Sequence, residues 1–229
     1  MKIRTRSAAV TFAMATALVA GAVAAAPSQA APSAKQTSVA KPAAKTLGDK
    51  SLAAVLTSGK VGFDRNRQDF DIVTAAVLAV LKAKPTSPVS VLTDGSVPLT
   101  AFIPTDDAFR RLVGSLTGKY FYSEQKVFDA VAGLGIPTVE TVLLYHVVPG
   151  ATITAKQALK SNGAVVTTAQ GGTIKVYVTK GPRIGLQDKD PDSRNPRVIL
   201  SLTDINKGNK QIAHGIDRVL RPLDLPKAS

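Results

Sequence analysis

The fold is decided by residues 97–109, which read VPLTAFIPTDDAF. The first half of this stretch, up to Ile103, is short and largely apolar, and this pattern predicts a buried strand. After the proline that follows, Thr105 stands where a side-chain oxygen caps the free amides of a helix. Asp106 and Asp107 then occupy a first helical turn, where the helix dipole favours carboxylates. The stretch therefore predicts a strand that passes directly into a helix.

Two arginines follow on the same predicted helix. Asp106 lies four residues before Arg110, and Asp107 lies four residues before Arg111. Opposite charges at this spacing attract each other on a helix, so two ion pairs are expected. Arg110 and Arg111 also form a basic cluster that is a candidate for binding an anionic surface. The alternative interpretation is an ordinary solvated helix face.

The remaining elements follow from apolar periodicity and from turn residues. Apolar positions that return every three or four residues predict helices, and short β-branched runs between glycine and proline turns predict strands. The predicted helices occupy residues 49–56, 71–83, 106 onward, 123–131, 137–146 and 154–159, and the predicted strands occupy 97–103, 164–168, 173–178, 183–187, 197–202 and 211–220. Helices early in the chain and strands late in it indicate an α+β domain.

The N-terminal residues have a different composition. Residues 1–30 combine three early basic residues, an uncharged apolar middle and small residues at the end. This pattern predicts a secretory signal peptide, and the alternative is a retained membrane anchor. Residues 31–48 are rich in Ala, Pro and Lys and predict a flexible linker. Residues 49–229 are then the folded domain, and no integral membrane span is expected once the signal is cleaved.

Composition limits the classes of partner. The chain has no cysteine, so neither disulfides nor sulfur-ligated zinc is expected. Its formal charge is +13, and removing Lys2, Arg4 and Arg6 with the signal leaves +10. Such a charge attracts anionic surfaces, or it serves only to keep the protein soluble. Nucleic acid is not expected as a partner, because the protein is predicted to be exported and its basic residues are not interleaved with aromatics.

The sequence contains no convincing catalytic or metal-binding constellation. His146 and His214 are its only histidines, and the preferred interpretation of each is a buried side chain with a hydrogen-bond partner. Residues 188–192, DKDPD, resemble the start of a calcium loop but lack the glycine and glutamate that complete it. No enzymatic activity, metal or cofactor is therefore predicted.

Three segments, in order, resemble the fasciclin (FAS1) domain family. They are TAFIPTDDAF at 100–109, LYHVVPG at 144–150 and IAHGIDRVLRP at 212–222. The resemblance implies a wedge-shaped β-sandwich with helices packed on it. In this family the pair matching Tyr145 and His146 matters for the fold and, in some animal members, for receptor binding. The residues that the resemblance marks as structural are Thr105, Asp106, His146, His214 and Asp217.

These observations together predict a secreted or cell-envelope-associated binding module without catalytic activity. The expected partner is an extracellular protein or an anionic cell-envelope polymer, and the candidate binding residues are Tyr145, His146, Arg110 and Arg111. The alternative function is an extracellular carrier of an apolar small molecule, such as a lipid or a pigment. Such a ligand would occupy a cleft lined by the apolar helix 71–83.

Overall fold

The computed structural model describes residues 46–59, 62–181 and 183–225. The predicted signal peptide and most of the predicted linker lie outside these residues. The described residues fold around a central sheet that has helices on one face and a second sheet on the other.

Six α-helices lie within the described ranges. They are α1 Leu52–Leu56, α2 Asp71–Ala83, α3 Asp106–Thr117, α4 Glu124–Ala132, α5 Ile136–Tyr145 and α6 Ala155–Ala158. Two short 3₁₀ helices span Pro88–Thr93 and Leu200–Leu202. No single helix in these ranges is long and apolar enough to cross a membrane. The pair α4 and α5, bent by 104°, meets that test only when the two are taken together.

The described strands form two three-stranded sheets. They are β1 Leu99–Pro104, β2 Val147–Pro149, β3 Val165–Thr167, β4 Thr173–Val178, β5 Ile184–Gln187 and β6 Gln211–Ile216. The central sheet has the order β2-β1-β6, with β1 antiparallel to β2 and parallel to β6. The second sheet, β3-β4-β5, is antiparallel throughout.

Side chains of β1 alternate between two cores, as expected because successive residues of a strand face opposite sides of a sheet. Ala101 and Ile103 pack against α2 and the other large helices. Phe102 faces the second sheet, where it joins Ile174 and Leu186. The sandwich implied by the family resemblance is therefore present, together with its helical layer.

Local capping explains where several elements begin and end. Ser51 and Thr105 each accept a hydrogen bond from a first-turn amide, at the starts of α1 and α3. Gly118 ends α3 in the left-handed conformation, with φ of 68°, which costs glycine little. Thr154 and Gln157 complete the capping box that their spacing predicts at α6.

Most of the predicted elements are confirmed, and α2 has the predicted bounds. The predicted strand 197–202 is wrong, because Val198 makes only an isolated bridge to Ile216 and residues 200–202 form a 3₁₀ helix. Strand β2 was not predicted, since its three residues follow a helix without a turn signal. The predicted helix at 49–56 begins later, at Leu52.

Candidate functional site

A buried ion pair supports the loop between α3 and α4. Arg110 on α3 is 1% exposed, and its Nη2 donates to Glu124 Oε1 at 2.9 Å. Its Nη1 donates to the carbonyl of Phe121 at 3.2 Å and to that of Tyr122. The other Glu124 oxygen accepts from the backbone amide of Asp64 at 2.6 Å. The buried Arg110 therefore fixes two consecutive backbone carbonyls of the loop from its interior side.

Two tyrosines project from this fixed loop into solvent. Tyr120 is 48% exposed and Tyr122 is 75% exposed, and their rings meet edge to face with centroids 5.2 Å apart. The Arg67 guanidinium lies 5.7 Å from the centre of the Tyr122 ring and 3.5 Å from the Tyr120 hydroxyl. We call Arg67, Tyr120 and Tyr122 the tyrosine surface. Lys119 and Arg65 are exposed beside it along the chain.

The two tyrosines were not predicted as binding residues, although the sequence contains a signal for them. The chain has four tyrosines, and two of them lie within residues 118–123, GKYFYS, between two predicted helices. Large aromatic side chains in a polar inter-helix loop have no core position to fill, which makes them candidates for contact with a partner.

The predicted pairing of Asp106 with Arg110 is wrong, and that of Asp107 with Arg111 is confirmed. Arg111 Nη2 lies 2.6 Å from Asp107 Oδ2 on the exposed face of α3. Arg110 turns inward to Glu124 instead, so the two arginines do not form one basic surface. Of the two arginines predicted to bind a partner, only Arg111, whose side chain is 42% exposed, is accessible.

Tyr145 and His146, the other two candidate binding residues, are buried. The Tyr145 hydroxyl donates to the carbonyl of Thr173 at 2.8 Å. His146 Nε2 accepts from the amide of Leu220 at 2.9 Å, so its Nδ1 carries the proton and donates to Val142 O at 2.7 Å. Burial lowers the pKa of His146 to about 4 and keeps the ring neutral. Both side chains link backbone segments, and a partner of the folded domain cannot reach them.

The remaining residues marked as structural also contact the backbone. Thr105 caps α3, and Asp106 Oδ1 accepts from the amide of Ile72 at 2.9 Å, at the start of α2. His214 accepts from the amide of Asp204 and donates to Ile153 O at 2.9 Å. Burial lowers the pKa of His214 as well. Separately, Asp217 Oδ1 accepts from the amide of Arg197 at 2.7 Å.

Two overlapping groups of carboxylates have the spacing of metal ligands. One group is Asp69, Asp71 and Asp106, and the other is Asp64, Asp71 and Glu124. Burial, followed by the neighbouring Asp69 carboxyl, raises the pKa of Asp106 to about 8. Residues 188–192, by contrast, do not form a cation loop, since the buried Asp190 pairs with Arg221 at 2.7 Å.

An apolar groove of about 620 Å³ lies between α3, α5 and the segment 219–225. Its apolar walls include Leu116, Leu134 and Leu223, and the latter two are about half exposed. The predicted cleft along helix 71–83 is not at this position. The apolar face of that helix is buried in the core, where it borders two cavities of about 30 Å³ each.

The chain is similar to proteins that are already known. The family model of the fasciclin domain matches residues 73–222, well over half of the chain. Among solved structures, a FAS1 domain pair from the insect cell adhesion molecule fasciclin I matches with a TM-score of 0.46 and 18% sequence identity. The match covers 65% of this chain and 46% of that one, so the chain spans about half the length of that structure. A comparison with curated proteins gave no match. The chain belongs to the fasciclin domain family.

Proposed function

We propose that this fasciclin domain is a non-catalytic binding module that attaches, outside the cell, to an anionic envelope polymer through the tyrosine surface. The observation that carries the proposal is the pair of exposed tyrosines held by a buried arginine. Tyrosine offers a large contact area at a low cost in side-chain entropy, and it is enriched at binding hot spots. Because Arg110 already fixes the loop, binding costs little further conformational entropy.

Charge favours an anionic polymer over a neutral partner. Arg67 lies against Tyr122, and the exposed Arg65 and Lys119 flank the surface. The chain as a whole has an isoelectric point near 10.1. An aromatic face beside guanidinium groups suits a polymer that alternates ring-shaped units with carboxylates or phosphates. The predicted signal peptide would bring the domain to such material.

The histidines support a role without catalysis. The two ring nitrogens of His146 and of His214 are engaged by backbone groups. Burial also lowers both pKa values, so neither side chain is placed to exchange a proton with a substrate.

Sedimentation with envelope material tests the proposal. Residues 31–229 are mixed with the envelope fraction of the producing cell at low and high salt, and the bound fraction is measured after centrifugation. We expect binding that weakens with salt and falls at least tenfold when Tyr120 and Tyr122 are both changed to Ala. Val165→Ala, which removes an exposed apolar side chain elsewhere, is the matched control. Equal binding by the double variant and the wild type would contradict the proposal, and binding to envelope protein alone would favour a protein partner.

The groove between α3, α5 and residues 219–225 favours a second function, that of a carrier for an apolar small molecule. Its volume of about 620 Å³ falls within the range of small-molecule sites. Solvent extraction and mass spectrometry of the purified protein would reveal a bound ligand. Thr138→Trp, which places a larger side chain in the lining of the groove, is expected to weaken uptake of an apolar fluorescent probe. Protein that carries no ligand and takes up no probe would exclude this function.

A further inference from the structure

Guanidinium groups lie beside one part of the apolar groove that α3 and α5 form. A second, small cavity of about 10 Å³ adjoins the groove, and Leu112, Val219 and Arg221 line both. Arg111 and Arg218 line the small cavity as well. Sites for small molecules combine an apolar lining with a few polar or charged groups that orient the ligand. The groove and the small cavity together have this composition.

Arg218, which is half-buried, has a hydrogen-bond donor without an acceptor. Its Nε is buried and has no partner within the described part of the chain. Burial lowers the pKa of Arg218, and repulsion from Arg111, Arg194 and Arg221 adds to this shift. The charge of the adjacent Asp217 raises the pKa without cancelling the shift. Because a guanidinium stays charged at neutral pH, an anion at this position would accept from the free donor and reduce the repulsion among the arginines.

Two of these arginines already have carboxylate partners. Arg221 is buried, pairs with Asp190 at 2.7 Å and donates to Ser115 Oγ at 2.6 Å. These contacts fix Arg221 where the two cavities adjoin. Arg111 pairs with Asp107, but its side chain is 42% exposed, so solvent weakens this pair. The arginines of the small cavity that are available to a ligand are therefore Arg218 and Arg111.

The size of the small cavity favours a carboxylate as the anionic group. A volume of about 10 Å³ accommodates roughly one water-sized group. One oxygen of a carboxylate meets this limit, whereas a phosphate group presents three acceptor oxygens. Ser193 also lines the cavity, and its hydroxyl can donate to such an oxygen. Asp192 and Arg194, on either side of Ser193 in the chain, are exposed. A small, flat anionic group therefore suits this position better than a phosphate.

We propose that the groove binds a long-chain fatty acid, with its carboxylate at Arg218 and Arg111 and its chain along the apolar walls. The proposal rests on the carrier function proposed for the groove and specifies its ligand. Arginine binds carboxylates through charge-assisted hydrogen bonds, which are stronger than those between neutral groups. A bound chain would also cover Leu134 and Leu223, which are about half exposed.

Competition between two ligands with the same chain tests the head-group site. Bound lipid is removed from the purified protein on a hydrophobic resin, and an apolar fluorescent probe is then displaced with sodium laurate or with lauryl alcohol. An apolar groove alone prefers the alcohol, because burying an unpaired carboxylate is costly. At about pH 7.5, where laurate is ionised, we expect the wild type to bind laurate about tenfold more tightly than lauryl alcohol.

Arginine variants assign this preference to the small cavity. Arg218→Gln should weaken laurate binding about tenfold and leave the binding of lauryl alcohol unchanged. Arg183→Gln changes an exposed arginine that lines neither cavity and should alter neither affinity. If Arg218→Gln does not fold, Arg111→Gln takes its place, since the Arg111 side chain is on the surface.

Three results would overturn the fatty-acid site. Equal affinities of the wild type for laurate and lauryl alcohol would leave the groove as a carrier of neutral molecules and remove the role of the arginines. Equal losses of laurate affinity in Arg218→Gln and Arg183→Gln would report a general effect of charge. Displacement of the probe by neither ligand, or no uptake of the probe at all, would contradict the carrier function together with the fatty-acid site.

Discussion

Arg110 and Arg111 are consecutive residues on α3, yet they belong to two different regions of the molecule. Arg110 is buried and fixes the loop of Tyr120 and Tyr122 through Glu124 and two carbonyls. Arg111 is on the surface and pairs with Asp107 one turn away. Within the signature blocks, the candidate binding residues Tyr145 and His146 are buried, whereas the tyrosine surface lies between those blocks. The surface proposed to bind a polymer therefore lies outside the family motifs.

The largest effect is expected from breaking the interior ion pair. Arg110→Met leaves Glu124 buried without a counter-charge and removes two donors from the loop carbonyls. We expect a loss of about 3–5 kcal/mol of unfolding free energy, measured by urea denaturation. Arg111→Met is the control and should cost less than about 1 kcal/mol. Similar losses of unfolding free energy in Arg110→Met and Arg111→Met would contradict the division into an interior and a surface arginine.

A second prediction for the interior is that the stability of the fold depends on pH through His146. Burial holds the pKa of His146 at about 4, below its ordinary value of 6.5. Between these values the unfolded chain binds a proton at this position and the folded chain does not. Stability conferred by the neutral ring is thus complete above pH 6.5 and is lost as pH falls toward 4, by about 3 kcal/mol. His146→Gln should remove this part of the profile, and identical pH slopes in the variant and the wild type would contradict it.

The ion pair at the surface should contribute less to stability than the buried one. A double-mutant cycle on Asp107 and Arg111, changed to Asn and Met, should give a coupling of about 0.3–0.5 kcal/mol, because solvent screens this half-exposed pair. The same cycle on Arg110 and Glu124 should give a coupling several times larger. Equal couplings would mean that burial does not separate the two pairs.

The smallest effect on stability is expected at the tyrosine surface itself. Replacing both Tyr120 and Tyr122 by Ala should change the unfolding free energy by no more than about 0.5 kcal/mol, since Tyr120 is about half exposed and Tyr122 is mostly exposed. Denaturation of the same protein that is used for sedimentation would check this. A loss above about 2 kcal/mol would place the tyrosines with the interior residues.

The sequence predicted those parts of the molecule that depend on local chemistry. Helix α2, the cap at Thr105 and the capping box at Thr154 each follow from residues a few positions apart, and all three are confirmed. The family resemblance supplied the sandwich, which local patterns alone do not specify.

Contacts between distant segments were not predictable in this way. Arg110 has a suitable partner four residues earlier, in Asp106, but tertiary packing gives it Glu124 instead. The carboxylate group joins Asp69 and Asp71 to a residue more than thirty positions later. Spacing along the chain does not predict such tertiary contacts. The candidate sites could therefore be identified only from the positions of the helices in the fold.

The parallel pairing of β1 with β6 has a consequence for when the domain can fold. Strand β1 lies at the centre of its sheet, and its register with β6 runs from Leu99 opposite Gln211 to Pro104 opposite Ile216. A ribosome that has released only the first two hundred residues has therefore produced a chain whose central strand lacks one neighbour. Contacts of such long sequence separation slow folding, and this one cannot form until residues 211–216 have been synthesised. An unfolded nascent chain can pass through an export channel, so this late pairing is compatible with the signal peptide predicted at residues 1–30.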